Sequence, residues 1–180
     1  MSETVSRLGL TGLLVALFLL GLWLMRRSWR RRAERDADLA ALPQLTRSEW
    51  GPPVREEGLP GLFVGTVHAG SWTDRVSAGG LSDRASGELR LYRDAVVIER
   101  TGADPVVLPA ASVRGAHLAP RLAGKVVGQR GLLVVAWQYR GHDGTSPETE
   151  LESGFRADDP VAQVDWAEAI NAMVPTGGGV

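Results

Sequence analysis

An uncharged stretch near the N-terminus constrains this chain most strongly. The eighteen residues from Leu8 to Met25 carry no charge, and Thr11 is the only polar side chain among them. As a helix they would extend about 27 Å, close to the roughly 30 Å hydrocarbon core of a membrane. A helix is favoured there because it satisfies its own backbone hydrogen bonds in lipid. The stretch therefore predicts a transmembrane helix over residues 8–25.

Arginines are distributed unevenly around this stretch. Arg7 alone precedes it, whereas a cluster follows it: Arg26, Arg27, Arg30, Arg31, Arg32 and Arg35. A cleaved export signal, the alternative, would place its charge first and small residues soon after the apolar core. The first run of small residues comes only at residues 37–41. We therefore expect an uncleaved helix rather than a signal peptide.

The same cluster predicts an orientation, because positively charged flanks stay in the cytoplasm. We expect a single-pass protein of the plasma (inner) membrane, with residues 1–7 outside and the C-terminal domain in the cytoplasm. Contact with the lipid bilayer interface is predicted for seven residues: Trp23, Arg26, Arg27, Trp29, Arg30, Arg31 and Arg32. No nucleic-acid partner is expected, since residues 61–180 hold 11 basic and 14 acidic side chains.

Prolines and glycines separate this region from a domain further along the chain. Residues 26–60 are predicted to form a basic juxtamembrane segment and then a linker, marked by Gly51-Pro52-Pro53 and Gly58-Leu59-Pro60. Trp50 lies in that linker, and we expect it to pack on the edge of the domain. The domain is predicted to span residues 61–174, followed by a flexible tail over residues 175–180.

The domain begins as a succession of short runs rich in β-branched and aromatic residues between turn signals. Seven strands are predicted: Gly61–Ala69, Ser86–Tyr92, Ala95–Arg100, Val106–Leu108, Ser112–Leu118, Gly131–Tyr139 and Glu150–Arg156. Their hairpin-like spacing favours an antiparallel sandwich or barrel.

The periodicity then changes from strand to helix. Asp158-Asp159-Pro160 is a typical helix start, with an acidic N-cap and proline at the first helical position. An apolar stripe at helical spacing follows, formed by Val164, Ala167, Ile170 and Val174. The fold class is therefore mainly β with a C-terminal helix. Seven antiparallel strands closed by one α-helix form a PH-like (pleckstrin-homology-like) layout.

Two segments, GTVHAGSWTDRVSAGGLSDRASGEL and GKVVGQRGLLVVAW, resemble a known family. It is the family of actinobacterial single-pass membrane proteins with a PH-like domain, whose activity is unassigned. The matching positions are Gly65-Thr66, Trp72, Arg75, Gly80-Leu81, Gly124-Lys125, Gly131-Leu132-Leu133, Trp137 and Gly154-Phe155-Arg156. Of these, Trp72, Arg75, Gly80, Trp137, Gly154 and Phe155 are predicted to be structural. The resemblance implies a fold and a location rather than a reaction.

Anion binding has two candidate loops. The loop between the first two predicted strands, Gly70–Ala85, holds Arg75 and Arg84 against Asp74 and Asp83, so its net charge is zero. A phosphoinositide site needs an excess of basic side chains there. The second loop, residues 119–130, offers a possible partner or anion contact at three positions, Arg121, Lys125 and Arg130.

Neither a nucleotide nor a metal site is indicated. The second loop departs from the Walker pattern at Ala119 and Val126, where glycine and Ser or Thr are required. The chain has no cysteine, and His68, His117 and His142 lie far apart in the sequence. No cofactor and no small-molecule ligand is therefore inferred.

Catalytic groups are also not indicated by the sequence. Gly70-Ser71-Trp72 lacks the G-x-S-x-G elbow, and Glu148, Glu150 and Glu152 suggest a solvated acidic edge rather than an acid–base pair. We therefore predict a non-enzymatic, membrane-anchored PH-like module that binds a protein partner or scaffolds a membrane assembly. The alternatives are an anionic-lipid- or phosphate-binding module and an accessory subunit of a transport or export system.

Overall fold

A computed structural model of the chain describes residues 12–13, 15–27, 45–76, 78–126, 131–140 and 148–174. The backbone alone is described at residues 125 and 126. The chain divides into two compact units, Met1–Ala37 and Asp38–Val180.

In the first unit, residues 12–13 and 15–27 are helical. Within the described residues, no helix is both long enough and apolar enough to cross a membrane. The prediction of a transmembrane helix over residues 8–25 is therefore wrong. The placement of the domain at the inner membrane was derived from that helix and stays a prediction.

Among the residues that the structure describes, the second unit has seven strands in one antiparallel sheet, in the order β4-β3-β2-β1-β9-β8-β5. A separate two-stranded ribbon, β6–β7, supplies the remaining strands. The strand bounds are β1 Leu59–His68, β2 Ala85–Leu91, β3 Ala95–Arg100, β4 Ala103–Pro109, β5 Val113–Ala119, β6 Arg121–Leu122, β7 Lys125–Val126, β8 Leu132–Tyr139 and β9 Thr149–Ala157. The seven predicted strands are confirmed, and the ribbon lies in a segment that the sequence had suggested to be a loop.

Strand β1 joins the two halves of the sheet, because it pairs with β2 along its first half and with β9 along most of its length. A register shift between Phe63 and Gly65 interrupts the pairing with β9. Gly65 has φ +130°, a backbone conformation that favours glycine, and such a bulge bends a strand. The sheet consequently curls around one apolar core to which all seven strands contribute.

The C-terminal helix, Ala162–Met173, packs mainly on β5 and closes this core. Its buried residues are Gln163, Trp166, Ala167 and Ile170. The predicted stripe was right at Ala167 and Ile170, but Val164 is exposed, because the buried face is rotated toward Trp166. Asp159 accepts a hydrogen bond from the Val161 N–H at 2.9 Å just before the helix begins.

Asn171 connects this helix to the edge strand β5. Its side-chain amide donates to the carbonyl oxygen of Ala116 at 2.9 Å and accepts from the Ala116 N–H at 2.7 Å. An exposed edge strand invites pairing with another chain, and this amide satisfies both backbone groups of the residue at the middle of that edge. The helix therefore protects the central part of β5.

Two segments outside the seven strands cover the outer surface of the sheet. The β6–β7 ribbon places Leu122 and Ala123 against an apolar cluster with Val64, Val67, Leu132 and Val134. The segment from Leu45 to Val54 places Trp50 against Tyr92, with ring centroids 5.2 Å apart, and Trp50 is only 5 % exposed. Hydrogen bonds from Asp94 N–H to Trp50 O and from Val54 N–H to Leu91 O hold this segment on the sheet.

Candidate functional site

A concave surface of about 430 Å³ opens where the curled sheet does not close, between the ends of β4 and β8. We name it the seam groove; its lining residues are Val107, Pro109, Ala111, Ser112, Arg114, Trp137, Gln138, Tyr139, Arg140 and Glu148. Its volume lies within the range of about 300–1,000 Å³ usual for ligand sites. The groove thus combines a mainly apolar interior with a few polar groups, as binding sites commonly do.

A local change of backbone direction opens the groove. After β4 the chain enters a short 3₁₀ turn, Ala110–Ser112, in which the Ser112 hydroxyl donates to the Pro109 carbonyl oxygen at 2.7 Å. Strand β5 therefore begins only at Val113, opposite Trp137. Strand β8 continues past that point and still pairs with β9 at Tyr139 and Thr149.

Charged and polar side chains form a connected rim along the groove. Glu148 accepts from the Arg140 Nε at 2.9 Å and lies 3.8 Å from a terminal nitrogen of Arg114. The Nε of Arg114 also donates to the Gln138 side-chain oxygen at 2.6 Å, and Gln138 in turn donates to Glu150 at 3.3 Å. Side-chain exposures of 49 % for Arg114 and 71 % for Arg140 leave both guanidinium groups accessible to a partner.

On the ribbon side of the domain, arginine serves a different purpose. Arg75 donates to the carbonyl oxygen of Ala123 from both Nε, at 3.1 Å, and Nη2, at 2.6 Å. It also donates to the carbonyl oxygens of Ser82, at 3.2 Å, and Val64, at 3.4 Å. Burial lowers the pKa of this guanidinium, and repulsion from Arg84 lowers it further. Arg75 thus ties the β1–β2 loop and the ribbon to strand β1.

The turn that Arg75 holds has an unusual backbone. Ala123 and Gly124 connect β6 to β7 with φ values of +49° and +71°, the left-handed conformations of a tight hairpin turn. Alanine is disfavoured there, so the two hydrogen bonds from Arg75 to its carbonyl oxygen help to hold the turn.

Gly154 on strand β9 lies under the ribbon. A Cβ at this position would lie 2.5 Å from the Leu122 Cδ2, which explains the glycine there.

An exposed tryptophan contacts an arginine of this ribbon. The Arg121 Cζ is 5.4 Å from the ring centroid of Trp72, within the range of a cation–π contact. Trp72 is 39 % exposed, whereas Trp50, Trp137 and Trp166 are buried. The structure thus brings together two residues that the sequence had assigned to separate loops.

The other predicted site residues are dispersed. Trp137 and Phe155 are buried in the core, where the Trp137 Nε1 donates to the Ser153 hydroxyl at 3.0 Å. The carbonyl oxygen of Gly80 accepts a hydrogen bond from Arg100, whose guanidinium has its pKa lowered by burial. The side chain of Lys125 and all of Arg130 lie outside the described residues.

The predicted membrane-interface residues belong to the first unit. Trp23, Arg26 and Arg27 are exposed on its helix, and the Arg27 Cζ lies 5.2 Å from the Trp23 ring centroid. Trp29 and residues 30–32 lie outside the described part of the chain. In the part that is described, no group of three or more His, Cys, Asp or Glu side chains is arranged to hold a metal ion.

A curled seven-stranded antiparallel sheet closed by one C-terminal helix defines a PH-like domain. A family model described as "Bacterial PH domain-like" matches residues 39–171, and the chain belongs to this family. No curated protein sequence matches the chain significantly. PH-like domains in general are non-catalytic modules that bind proteins or lipids. The match begins before the predicted domain boundary and includes Trp50 and the segment around it.

Proposed function

We propose that this chain is a non-enzymatic PH-like module whose seam groove binds a protein partner. The groove itself carries the proposal, because its apolar interior and hydrogen-bonding rim match the usual composition of a recognition site. Arginine is also among the residues most often found at the energetic centres of protein interfaces, and the rim presents Arg114 and Arg140.

The β1–β2 loop supports the choice of a protein over a phosphoinositide. Arg75, which would be needed to bind phosphate oxygens, already donates to the backbone carbonyl oxygens of Val64, Ser82 and Ala123. A phosphate would have to break these hydrogen bonds, and the nearby carbonyl oxygens would lose their donor. The loop is therefore better suited to holding the ribbon than to binding a headgroup.

Site-specific crosslinking tests the proposal. A photo-reactive phenylalanine analogue replaces the exposed Ala111 inside the groove of the full chain, in the native host. We expect a discrete crosslinked product with a protein partner that is strongly reduced by Arg114→Glu and Arg140→Glu. The matched control, Arg156→Glu on the exposed outer face of β9, should leave it unchanged. A product insensitive to the groove variants, or no product at all, would contradict the proposal.

A second candidate function is contact with an anionic lipid surface through the ribbon. The observation that favours it is the exposed Trp72–Arg121 pair, which offers an apolar ring and a cation on one surface. Binding to phosphatidylserine vesicles, but not to phosphatidylcholine vesicles, should then weaken with salt. It should also weaken in Arg121→Glu but not in Arg114→Glu. Equal binding by both variants would exclude the ribbon as the lipid contact.

A further inference from the structure

Strand β4 lies at one edge of the sheet, and its sequence limits what that edge can bond. Among the strands that the structure describes, β4 and β5 are the two edges of the seven-stranded sheet. An edge strand presents backbone N–H and C=O groups on which another chain can pair. At β5, the Asn171 side chain bonds to the N–H and the carbonyl oxygen of Ala116. A strand added to β5 would therefore have to displace this side chain.

The hydrogen-bond pattern shows which residues of β4 face outward. The Ala110 N–H donates to the Asp94 carbonyl oxygen at 2.9 Å, so this backbone group faces β3. Successive residues of an antiparallel strand bond alternately toward one side and the other. In the register of β3 and β4, every second residue back from Ala110 also faces β3. The backbone groups of Pro105, Val107 and Pro109 therefore point away from the sheet.

Prolines occupy two of these three outward positions. Pro105 and Pro109 have no N–H, which leaves Val107 as the only N–H donor of the three. The Pro109 carbonyl oxygen already accepts from the Ser112 hydroxyl at 2.7 Å. Within sheets, proline is largely confined to such edges, because a central strand needs every N–H. A strand that paired here would find one donor where a regular edge of this length offers three.

We propose that Pro105 and Pro109 close the β4 edge to strand pairing, so that copies of the chain do not join through β4. The seam groove lies along this edge, since Val107 and Pro109 line it. A partner in the groove then contacts β4 through side chains rather than through a backbone ladder. This consequence for the partner rests on the proposed function, whereas the closed edge does not.

Disulfide trapping tests the proposal, and the chain suits this method because it contains no cysteine. Val107→Cys supplies a single thiol. In an antiparallel pair of β4 strands centred on residue 107, the two substituted positions lie opposite each other. Their Cα atoms would be about 5.5 Å apart, within the range that a disulfide spans. In the same pair, Pro105 of one copy lies opposite Pro109 of the other, so the ladder lacks two N–H donors from each copy.

Pro105→Val and Pro109→Val are then combined with Val107→Cys in the purified full chain, with oxidised glutathione as the oxidant. We expect the disulfide dimer to form at least about tenfold faster than in the chain with Val107→Cys alone, because each copy gains two donors. Amide exchange at residues 105–109 of the reduced triple variant should slow as the protein concentration rises. The matched control, Pro120→Val with Val107→Cys, should not change the rate, since Pro120 lies outside the seven strands.

Equal rates of dimer formation with and without the two prolines would overturn the proposal. If urea denaturation shows that the triple variant does not fold, Pro105→Val with Val107→Cys decides, because Pro105 lies away from the 3₁₀ turn. This variant should raise the rate by a smaller factor, and an unchanged rate would overturn the proposal. Crosslinking from Ala111 is a separate readout. Its failure would remove the partner in the groove and leave the closed edge standing.

Discussion

The covered outer surfaces of the sheet and the seam groove use similar residues in opposite ways. Under the ribbon, Arg75 is partly buried and its donors bond to backbone carbonyl oxygens of three residues. In the groove, Arg114 and Arg140 are exposed and bond to side chains that can rearrange. An arginine that bonds to a fixed backbone stabilises the fold, whereas one that shares an exposed carboxylate remains available for a partner.

This comparison predicts a gradient of effects on stability. Substitutions under the covering segments should lower the free energy of unfolding strongly and leave the intact groove able to bind. Substitutions in the groove should change the free energy of unfolding little and should weaken binding of the partner. The following variants test it, from the largest expected change to the smallest.

Trp50 is expected to have the largest effect. Trp50→Ala removes a buried ring that packs on Tyr92 and should destabilise the domain by about 4 kcal/mol. Urea denaturation of the variant and the parent chain gives this difference. A truncated chain that begins at Leu59 should be destabilised similarly, and one that begins at Leu45 should not. Equal stability of the two truncated chains would show that the Trp50 segment is not part of the folded domain.

Leu122 and Gly154 should be energetically coupled. Leu122→Ala opens the cluster under the ribbon and should cost about 3 kcal/mol. Gly154→Ala is unfavourable because its Cβ would meet the Leu122 side chain. The double variant should therefore lose less stability than the sum of the two single variants, as measured by a double-mutant cycle. Strict additivity would mean that the ribbon does not pack on β9 in solution.

Arg75→Met tests whether the buried arginine is structural. It keeps much of the aliphatic stem but leaves the Ala123 carbonyl oxygen without its two donors, which should cost about 2 kcal/mol. Denaturation gives the value. Arg84→Met in the same loop is the matched control, because Arg84 is exposed, and it should change little. A stable Arg75→Met chain that loses binding of an anionic ligand would instead indicate a ligand site.

The exposed pair Trp72 and Arg121 should contribute only about 0.5–1 kcal/mol, as is usual for a cation–π contact at the surface. A double-mutant cycle with Trp72→Ala and Arg121→Ala measures this coupling. A coupling well above that range would mean that the pair stabilises the ribbon in the way that Arg75 does.

The groove arginines should have the smallest effect on the fold. Arg114→Glu should change the stability by less than about 0.5 kcal/mol, since exposed ion pairs contribute little. The same substitution should nevertheless abolish most of the crosslinking from position 111. Thermal denaturation and crosslinking of one preparation measure both effects, and a large loss of stability would place Arg114 with the structural arginines.

The strands could be predicted because their apolar runs are long enough to show periodicity. The ribbon could not, since two-residue strands have no periodicity, and its packing depends on Leu122 meeting Gly154 across the fold. The helix was predicted but its buried face was rotated, because the tertiary contacts bury Trp166 rather than Val164. The transmembrane helix was the main error, as hydropathy and charge alone suggested a longer helix than the described residues contain.

The candidate site was the least predictable part of the molecule. Val107, Arg114, Gln138 and Glu148 come from four separate parts of the sequence and form no motif. They meet only because β5 begins at Val113, opposite Trp137, whereas β8 continues to Tyr139. No local sequence pattern reveals this consequence of strand register. The Trp72–Arg121 pair likewise depends on how the ribbon folds back over β1. The sequence had singled out each of the two residues, but in separate loops and for different roles.

A side-by-side crosslinking measurement tests the central claim most directly. The same photo-reactive residue is placed at Ala111 in the groove or at Trp72 beside the ribbon, in two otherwise identical full chains. The account predicts a discrete protein adduct from position 111 that depends on Arg114 and Arg140, and none from position 72. An adduct from position 72 alone would contradict it, and would place the partner on the ribbon.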